Sequence, residues 1–215
     1  MRPTGHRHPD TITPQRIGRR LWVTPPADDT PLAPGQIAIR IDPGAAFGDG
    51  AHPTTQLCLA ALERHCKAGA LLDLGAGTGI LAIAAAKLGA TPILALDIDA
   101  AAVQIARANV TLNQVDDRVR VEQGSLSDVL AGRCGLTQAP LVVANILSHV
   151  LVDFFAQGLA ETVTPGGLLM LSGILRTQGP EIRARLGWHG MTQVAEERRE
   201  EWLCILARRG RGILG

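Results

Sequence analysis

Between residues 70 and 175, short apolar runs alternate with helical stretches, and this alternation restricts the fold more than any other feature. "ALLDLG", "PILALDID", "PLVVANI" and "PGGLLMLSGI" are continuous apolar runs, which suits strands covered on both faces. "RVRVEQG" alternates and reads as a further strand. "TQLCLAALERHC", "ILAIAAAKLG", a stretch over about 149–162 and "EIRARLGW" read as helices. Gly89 gives one of them a typical glycine stop, and Asp99 caps another that runs to about Asn113, with Val103, Ala106 and Val110 on one face. Strands alternating with helices predict an α/β, doubly wound parallel sheet with helices on both faces. "MTQVAEE" and "EWLCILAR" read as a closing antiparallel pair, so the sheet ends on a reversed edge.

With 215 residues and 46% hydrophobic content, the chain has material for one substantial core and a small appendage. A net charge of +1 supplies no global field for nucleic acid or anionic membrane, which leaves only a local patch for such work. The first twenty residues have no apolar stretch like a signal peptide's, and no run reaches membrane-spanning length, so a cytoplasmic location is expected. Residues 1–40 hold seven prolines and read as an arm or linker with short extended segments, "RRLWVTPP" and "QIAIRI", and an edge strand. A catalytic domain over 41–209 and a tail over 210–215 follow. Cys58, Cys66, Cys134 and Cys204 form no C-x-x-C pair and read as free thiols in a reducing compartment; no metal site is expected.

Ligands of such sheets sit beyond the carboxyl ends of the strands, near the point where strand order reverses. After the first strand comes "DLGAGTG", with Gly75, Gly77 and Gly79, a bend that lets backbone approach a ligand closely. A dinucleotide fingerprint wants glycine or alanine at the sixth position, where this chain has Ile80. The G-x-G-x-G form is the one familiar from S-adenosylmethionine enzymes, whose ligand carries no diphosphate. Asp97 closes the second strand and suits a bidentate contact with ribose hydroxyls, while Asp99 is the helix cap. After the third strand, Ser125 or Asp128 reads either as a partner of an adenine amino group or as a helix cap. After the fourth, the Asn145 side-chain carbonyl suits an amine donor. Upstream, "DPGAAFGDGAHPTT" spends three glycines on one connector. It reads as a lid in which Phe47 excludes water, or as a helix-capping loop with Thr54 or Thr55 as cap. His52 reads as structural or as a base.

"DPGAAFGDGAHPTTQLCLAALE", "LLDLGAGTGILAIAAAKLGA", "LALDIDAAAV", "VVANIL", "GGLLMLSGIL" and "EEWLCIL" occur in that order, and together they resemble the bacterial methyltransferases that modify ribosomal protein L-eleven of the large subunit. The resemblance runs from about Ile17 to Arg208, and its specific segments are "FGxGxHPTT" and "ANIL". It implies a seven-stranded class I fold using S-adenosylmethionine, and methylation of protein amino groups, on lysine side chains or an N-terminal amine. The family's cofactor contacts carry over to Thr55, Gly75, Asp97 and Asn145, with Phe47, Thr54 and His52 in the same matched segments. Gly77 and Gly79 complete the loop, and Asn145 is the expected catalytic residue. Family members carry a separate N-terminal domain that recognises the ribosomal protein; this sequence opens near the linker, so that domain is expected to be absent or removed. Asp49 stands where the common lid pattern has threonine, which bears on substrate charge preference. A methyltransferase of the same fold acting on another protein or a small molecule, and a cofactor-binding module without catalysis, are the alternatives. Direct nucleic-acid binding is not expected, because "NIL" offers no proline or aromatic platform for a flipped base.

Overall fold

The structure is a computed structural model and describes residues 12–211. The start of the N-terminal arm (1–11) and most of the expected tail (212–215) lie outside the described residues. Three short strands come first, β1 (Gln15–Ile17), β2 (Leu21–Thr24) and β3 (Ile37–Arg40). Then follow α1 (Pro53–His65), β4 (Leu71–Leu74), α2 (Ile80–Lys87), β5 (Ile93–Asp97), α3 (Ala100–Leu112), β6 (Val119–Gln123), α4 (Leu126–Leu130), β7 (Ala139–Asn145) and α5 (Ser148–Gln157). β8 (Val163–Leu175), α6 (Gly179–Trp188), β9 (Met191–Arg199) and β10 (Trp202–Arg209) complete the chain.

The main sheet has seven strands in the order β6-β5-β4-β7-β8-β10-β9. Pairing is parallel from β6 to β8, and β10 runs antiparallel to both its neighbours, as the closing pair predicts. The chain builds outward from β4 through β5 and β6, then returns to place β7 on the other side of β4. The reversal of winding direction therefore falls between β4 and β7, where a crevice opens at their carboxyl ends.

Side chains along the central strands alternate between two cores. Ile93 and Ala95 of β5, and Leu141 and Val143 of β7, join the cluster with α1, α2 and α3. Leu94 and Leu96, and Val142 and Ala144, join the cluster with α4, α5 and α6. Both faces are apolar because both are covered. The Ala-rich α2 is buried along its length from Ile80 to Ala86, which lets it lie close on the sheet. The stretch expected as one helix over 149–162 is two pieces. Gly158 at φ +110° ends α5, and a 3-10 turn at Leu159–Thr162 follows.

The extended segments of the arm pair with one another rather than with the main sheet, in a mixed sheet of order β1-β2-β3. Ile17, Leu21, Val23, Ile39 and Ile41 are buried in the same cluster as α1 and α2, so this small sheet shares the main core. Two polar devices fix it. The Glu63 carboxylate on α1 accepts the backbone N–H groups of Arg19 (2.7 Å) and Arg20 (2.6 Å) in the β1–β2 turn. At the C-cap of α3, Asn113 Oδ1 accepts the Arg40 N–H (3.0 Å) while its amide donates to the Arg40 carbonyl (2.6 Å). One turn earlier, Asn109 does the same for Asp42, at 2.9 Å both ways, and its amide also donates to the Thr78 carbonyl at 3.0 Å.

Asn109 is buried, so its loss leaves several backbone groups unpaired away from water. Asn109→Ala should lower the unfolding free energy by roughly 2–3 kcal/mol, at the usual cost of unpaired buried groups. Urea denaturation checks this, and an unchanged midpoint would show the contacts to be dispensable.

Candidate functional site

The crevice at the switch point is a cavity of about 510 Å³, within the usual range for a small-molecule site. It takes residues from five strand ends: Gly75 after β4, Asp97 of β5, Gly124 after β6, Asn145 of β7 and Gly173 of β8. No lysine or arginine lines it, so it offers no counter-charge to a diphosphate.

The glycine bend is shaped by what packs against it. Gly75, Gly77 and Gly79 all have positive φ, at +78°, +54° and +79°. A Cβ on Gly75 would sit 2.4 Å from Ile146 Cγ2, and one on Gly77 would sit 2.3 Å from the Phe47 carbonyl oxygen. Gly75 and Gly77 line the cavity. The structure does not bring Gly79 there; its missing Cβ lets α2 start against Ala106 of α3. Asp97 Oδ2 accepts the Gly77 N–H (2.8 Å), and Oδ1 accepts the Asp99 N–H (3.0 Å), so this carboxylate buttresses the bend as well as facing the cavity. Asp99 caps α3 through the Ala101 N–H at 2.9 Å.

The segment expected as a lid covers one wall. Thr78 donates its N–H to the Phe47 carbonyl (2.9 Å) and its hydroxyl to the Gly48 carbonyl (2.7 Å), pinning lid to bend. Phe47, 55% exposed, forms the rim. His52 is the N-cap of α1: its Nδ1 accepts the Thr54 N–H at 3.3 Å and lies 2.8 Å from the Thr54 hydroxyl. Its ring also stands edge-on between Phe47 (5.2 Å between centroids) and Trp202 of β10 (5.0 Å). Thr54 lines the cavity, whereas Thr55 is fully buried in the first turn of α1 and does not border it. The Thr55 hydroxyl has no hydrogen-bond partner. The Asp49 carboxylate accepts the Ala51 N–H (2.9 Å) and borders the groove between lid and β1, not the cavity.

Deeper in, Asn145 Oδ1 is shielded from solvent and has no hydrogen-bond partner, although the residue lines the cavity. A buried carbonyl oxygen left unpaired at a cavity wall suits a donor that arrives with a ligand. Ser125 lines the cavity beyond the end of β6 together with Gly124 and Leu126. Asp128 turns away as a cap, accepting the Ser125 N–H at 2.9 Å and an Arg133 hydrogen bond at 2.7 Å.

Sequence reasoning passed over three residues that shape this site. Thr78 sits in plain view in "GAGTG", and its hydroxyl was the available signal. Asn109 is a polar residue on the inward face of α3. Trp202 arrives from the far end of the chain, and nothing local marks it. Beneath the site, Asp73 in the middle of β4 was also passed over; it is wholly buried between Ala95 and Val143 of its neighbour strands. Burial pushes its pKa up to about 7, with the Asp97 charge adding to the effect. The Ala82 backbone amide lies close enough to offset part of this, although neither Asp73 oxygen has a partner in hydrogen-bonding geometry. None of the described residues groups histidine, cysteine or carboxylate in a way that would hold a metal ion, and none of the described helices is long and apolar enough to cross a membrane. All four cysteines are free thiols.

Residues 6–210 match the model of the family described as ribosomal protein L11 methyltransferase (PrmA). Relatives named ribosomal protein L11 methyltransferase include one from Desulfitobacterium hafniense, 42% identical over 94% of this chain and 62% of its own length. Another, from Chloroflexus aurantiacus, is 42% identical over 90% of this chain and 65% of its own length. The chain thus spans about three fifths of the length of these curated relatives. Among solved structures, the ribosomal protein L11 methylase of Lactobacillus delbrueckii subsp. bulgaricus superposes with a TM-score of 0.81 at 34% identity, over 92% of this chain and 98% of that one. A Streptococcus pneumoniae structure described as a putative tRNA (m1A22) methyltransferase in complex with S-adenosyl-L-methionine has a TM-score of 0.60 at 21% identity, over 73% of this chain and 74% of that one, which shows a shared fold alone.

Asp73 makes stability depend on pH in a definite direction. Its folded pKa of about 7 lies above the ordinary 3.8, so the native state holds a proton that the unfolded chain has released between those values. That contribution is complete below pH 3.8 and is lost as pH rises through 7. Asp73→Asn cannot titrate, so its unfolding free energy should fall less than that of the unaltered protein between pH 4 and 7. Parallel urea titrations across that range measure the difference, and identical slopes would exclude a proton on Asp73.

Proposed function

This chain belongs to the ribosomal protein L11 methyltransferase family, and from that premise we propose that it transfers methyl groups from S-adenosylmethionine to a protein amine, on a lysine side chain or an N-terminus. The substrate proposed is the large-subunit ribosomal protein for which the relatives are named, with residues 41–209 as the catalytic unit. The observation that carries the reading is the cavity's polarity. One carboxylate stands at the end of β5, no cation lines the walls, and an unpartnered Asn145 carbonyl lies inside. A nucleoside with a positively charged sulfur and no diphosphate suits those walls, whereas a dinucleotide would bury phosphate charge without partners.

The residues present fit that cofactor, which when bound supplies a transferable methyl group on a good leaving group. Gly75 and Gly77 would admit its close approach, Asp97 would receive the ribose hydroxyls, and Gly124 and Ser125 would border the base. Asn145 Oδ1 accepts an N–H of the incoming amine and so aims the nitrogen lone pair; being neutral, it does not favour the ammonium form as a carboxylate would. A lysine amine has an unperturbed pKa of about 10.4 and must reach the site deprotonated. The rim of Phe47, His52 and Trp202 excludes water, and desolvation lowers that pKa. Alignment of amine and methyl group is the main contribution asked of the protein. His52 serves the rim and the helix cap, so no dedicated base is assigned.

Two variants separate binding from turnover. Asn145→Ala should lower kcat by about 100-fold, the order seen when one preorganised polar contact to a reacting group is removed, and should change cofactor affinity far less. Asp97→Ala should weaken cofactor binding at least about tenfold, in line with the loss of charge-assisted hydrogen bonds. Calorimetry with S-adenosylmethionine and transfer of its labelled methyl group to the purified ribosomal protein provide both readouts. Absence of cofactor binding to the unaltered chain would refute the reading.

A further inference from the structure

At the opposite end of the sheet from the cofactor cavity lies a second concavity, of about 520 Å³. Leu71, Leu141 and Leu168, at or near the amino ends of β4, β7 and β8, form its floor. Its titratable residues are all basic: Arg64, His65 and Lys67 from the end of α1 and the following loop, and Arg208 and Arg211 from β10 and beyond. No carboxylate lines it, in a chain whose net charge is only +1. Arg64 is paired with Glu197. Among the described residues, Lys67, Arg208 and Arg211 form no ion pair. Arg208 is steadied by the Gly166 carbonyl at 2.9 Å, which leaves other guanidinium N–H groups free to donate.

We propose that this cleft is a second binding site, for the phosphate groups of an RNA backbone. The Lys67 ammonium and the Arg208 and Arg211 guanidinium groups, gathered here without an ion-pair partner among the described residues, match phosphate oxygens in charge and donor geometry. The chemistry of the remaining wall decides between RNA and an acidic protein. Protein partners anchor on exposed apolar or aromatic side chains. Among the described residues, the exposed large apolar side chains are Phe47, Ile98, Leu147, Trp188 and Val194, and none of them lines the cleft. No tryptophan or phenylalanine lines the cleft, so its contacts are dominated by charge, which suits a site that holds backbone more than one that reads bases. His65 sits within the net positive field of the cleft. Burial lowers its pKa, and Arg64, Arg208 and Lys67 lower it further, with Glu197 alone opposing. The net charge of the sequence argued against nucleic acid because residues 64–67 and 208–211 become one patch only after β10 packs beside α1.

The site is independent of the reaction assigned above. Along β8 it is separated from the cofactor cavity by the run from Leu168 to Gly173, roughly 17 Å at a strand's rise per residue. Fluorescence anisotropy with a short labelled single-stranded RNA of mixed sequence tests it directly, on the full chain. Neutralising three or four phosphates gives an expected log–log salt slope of about −2 to −3. Lys67→Glu with Arg211→Glu should weaken binding at least about tenfold, while melting temperature and S-adenosylmethionine affinity stay unchanged, since neither side chain makes a hydrogen bond among the described residues. Titrating the His65 ring by NMR should show its midpoint rising when RNA is added. Equal RNA binding by the double variant would overturn the proposal. So would competition by polyglutamate as effective as by RNA of equal charge, or displacement by inorganic phosphate at an equal concentration of phosphate groups.

Discussion

Two side-chain amides, one helical turn apart, hold together much of what makes this molecule more than a bare sheet. Asn109 on α3 and Asn113 at its C-cap pair with the backbone of residues 42 and 40 in turn, each giving that residue one hydrogen bond and taking one from it. A helical turn advances about 5.4 Å and two strand residues about 6.6 Å, so amides at i and i+4 meet alternate residues of an extended chain in near register. The helix in effect presents a strand edge. Residues 40–42 lead directly into the lid, and Asn109 also holds the Thr78 carbonyl, so one side chain sets the spacing between lid and glycine bend. Phe47, Gly48 and Thr78 then close on each other, and Gly77 has to be glycine because the Phe47 carbonyl occupies the space of a Cβ.

The lid is accordingly a wall more than a flap. Its glycines Gly44, Gly48 and Gly50 are each a point of close approach to a neighbouring side chain. A Cβ on Gly48 would lie 2.8 Å from the Thr78 hydroxyl oxygen, and one on Gly50 would lie 2.9 Å from Val23. Their role in the described structure is packing, and the aromatic row of Phe47, His52 and Trp202 completes an enclosure whose position is set by α3 and the small sheet. Chemistry that depends on excluding water from an amine benefits from walls that are already in place.

Much of this could be read in the sequence because the fold is written in local signals. The apolar runs at 71–74, 93–97 and 139–145 and the caps at Asp99 and Gly89 act through neighbours in the chain, and the strands and helices fall where those signals put them. Gly75, Gly77, Asp97 and Asn145 follow from the rule that strand ends carry the site, and all four meet at the cavity. What escaped acts across the chain. The arm's strands pair among themselves because Glu63 and the two asparagines offer partners that no window of sequence reveals. Trp202 reaches the cavity only because β10 inserts between β8 and β9, which makes the start of a reversed strand coincide with the carboxyl ends of the parallel ones. Asp73 looked like part of an apolar run ending in glycine, and its burial emerges only when β5 and β7 close over it on either side. Thr55 and Gly79 were placed by motif, and the motif does not say which way a helix's first turn faces.

The Asp97 carboxylate is already clamped before any ligand arrives. One oxygen is fixed by the Gly77 amide and the other by the Asp99 amide, so the side chain has no rotamers left to surrender. A guest bearing two adjacent hydroxyls meets an acceptor frozen at one orientation, and the entropy of ordering it was spent when the chain folded. Under the proposed cofactor reading, selectivity for a vicinal diol becomes a matter of stiffness. A flexible carboxylate would swing to accommodate a sugar that lacks one hydroxyl, and this one has nowhere to swing.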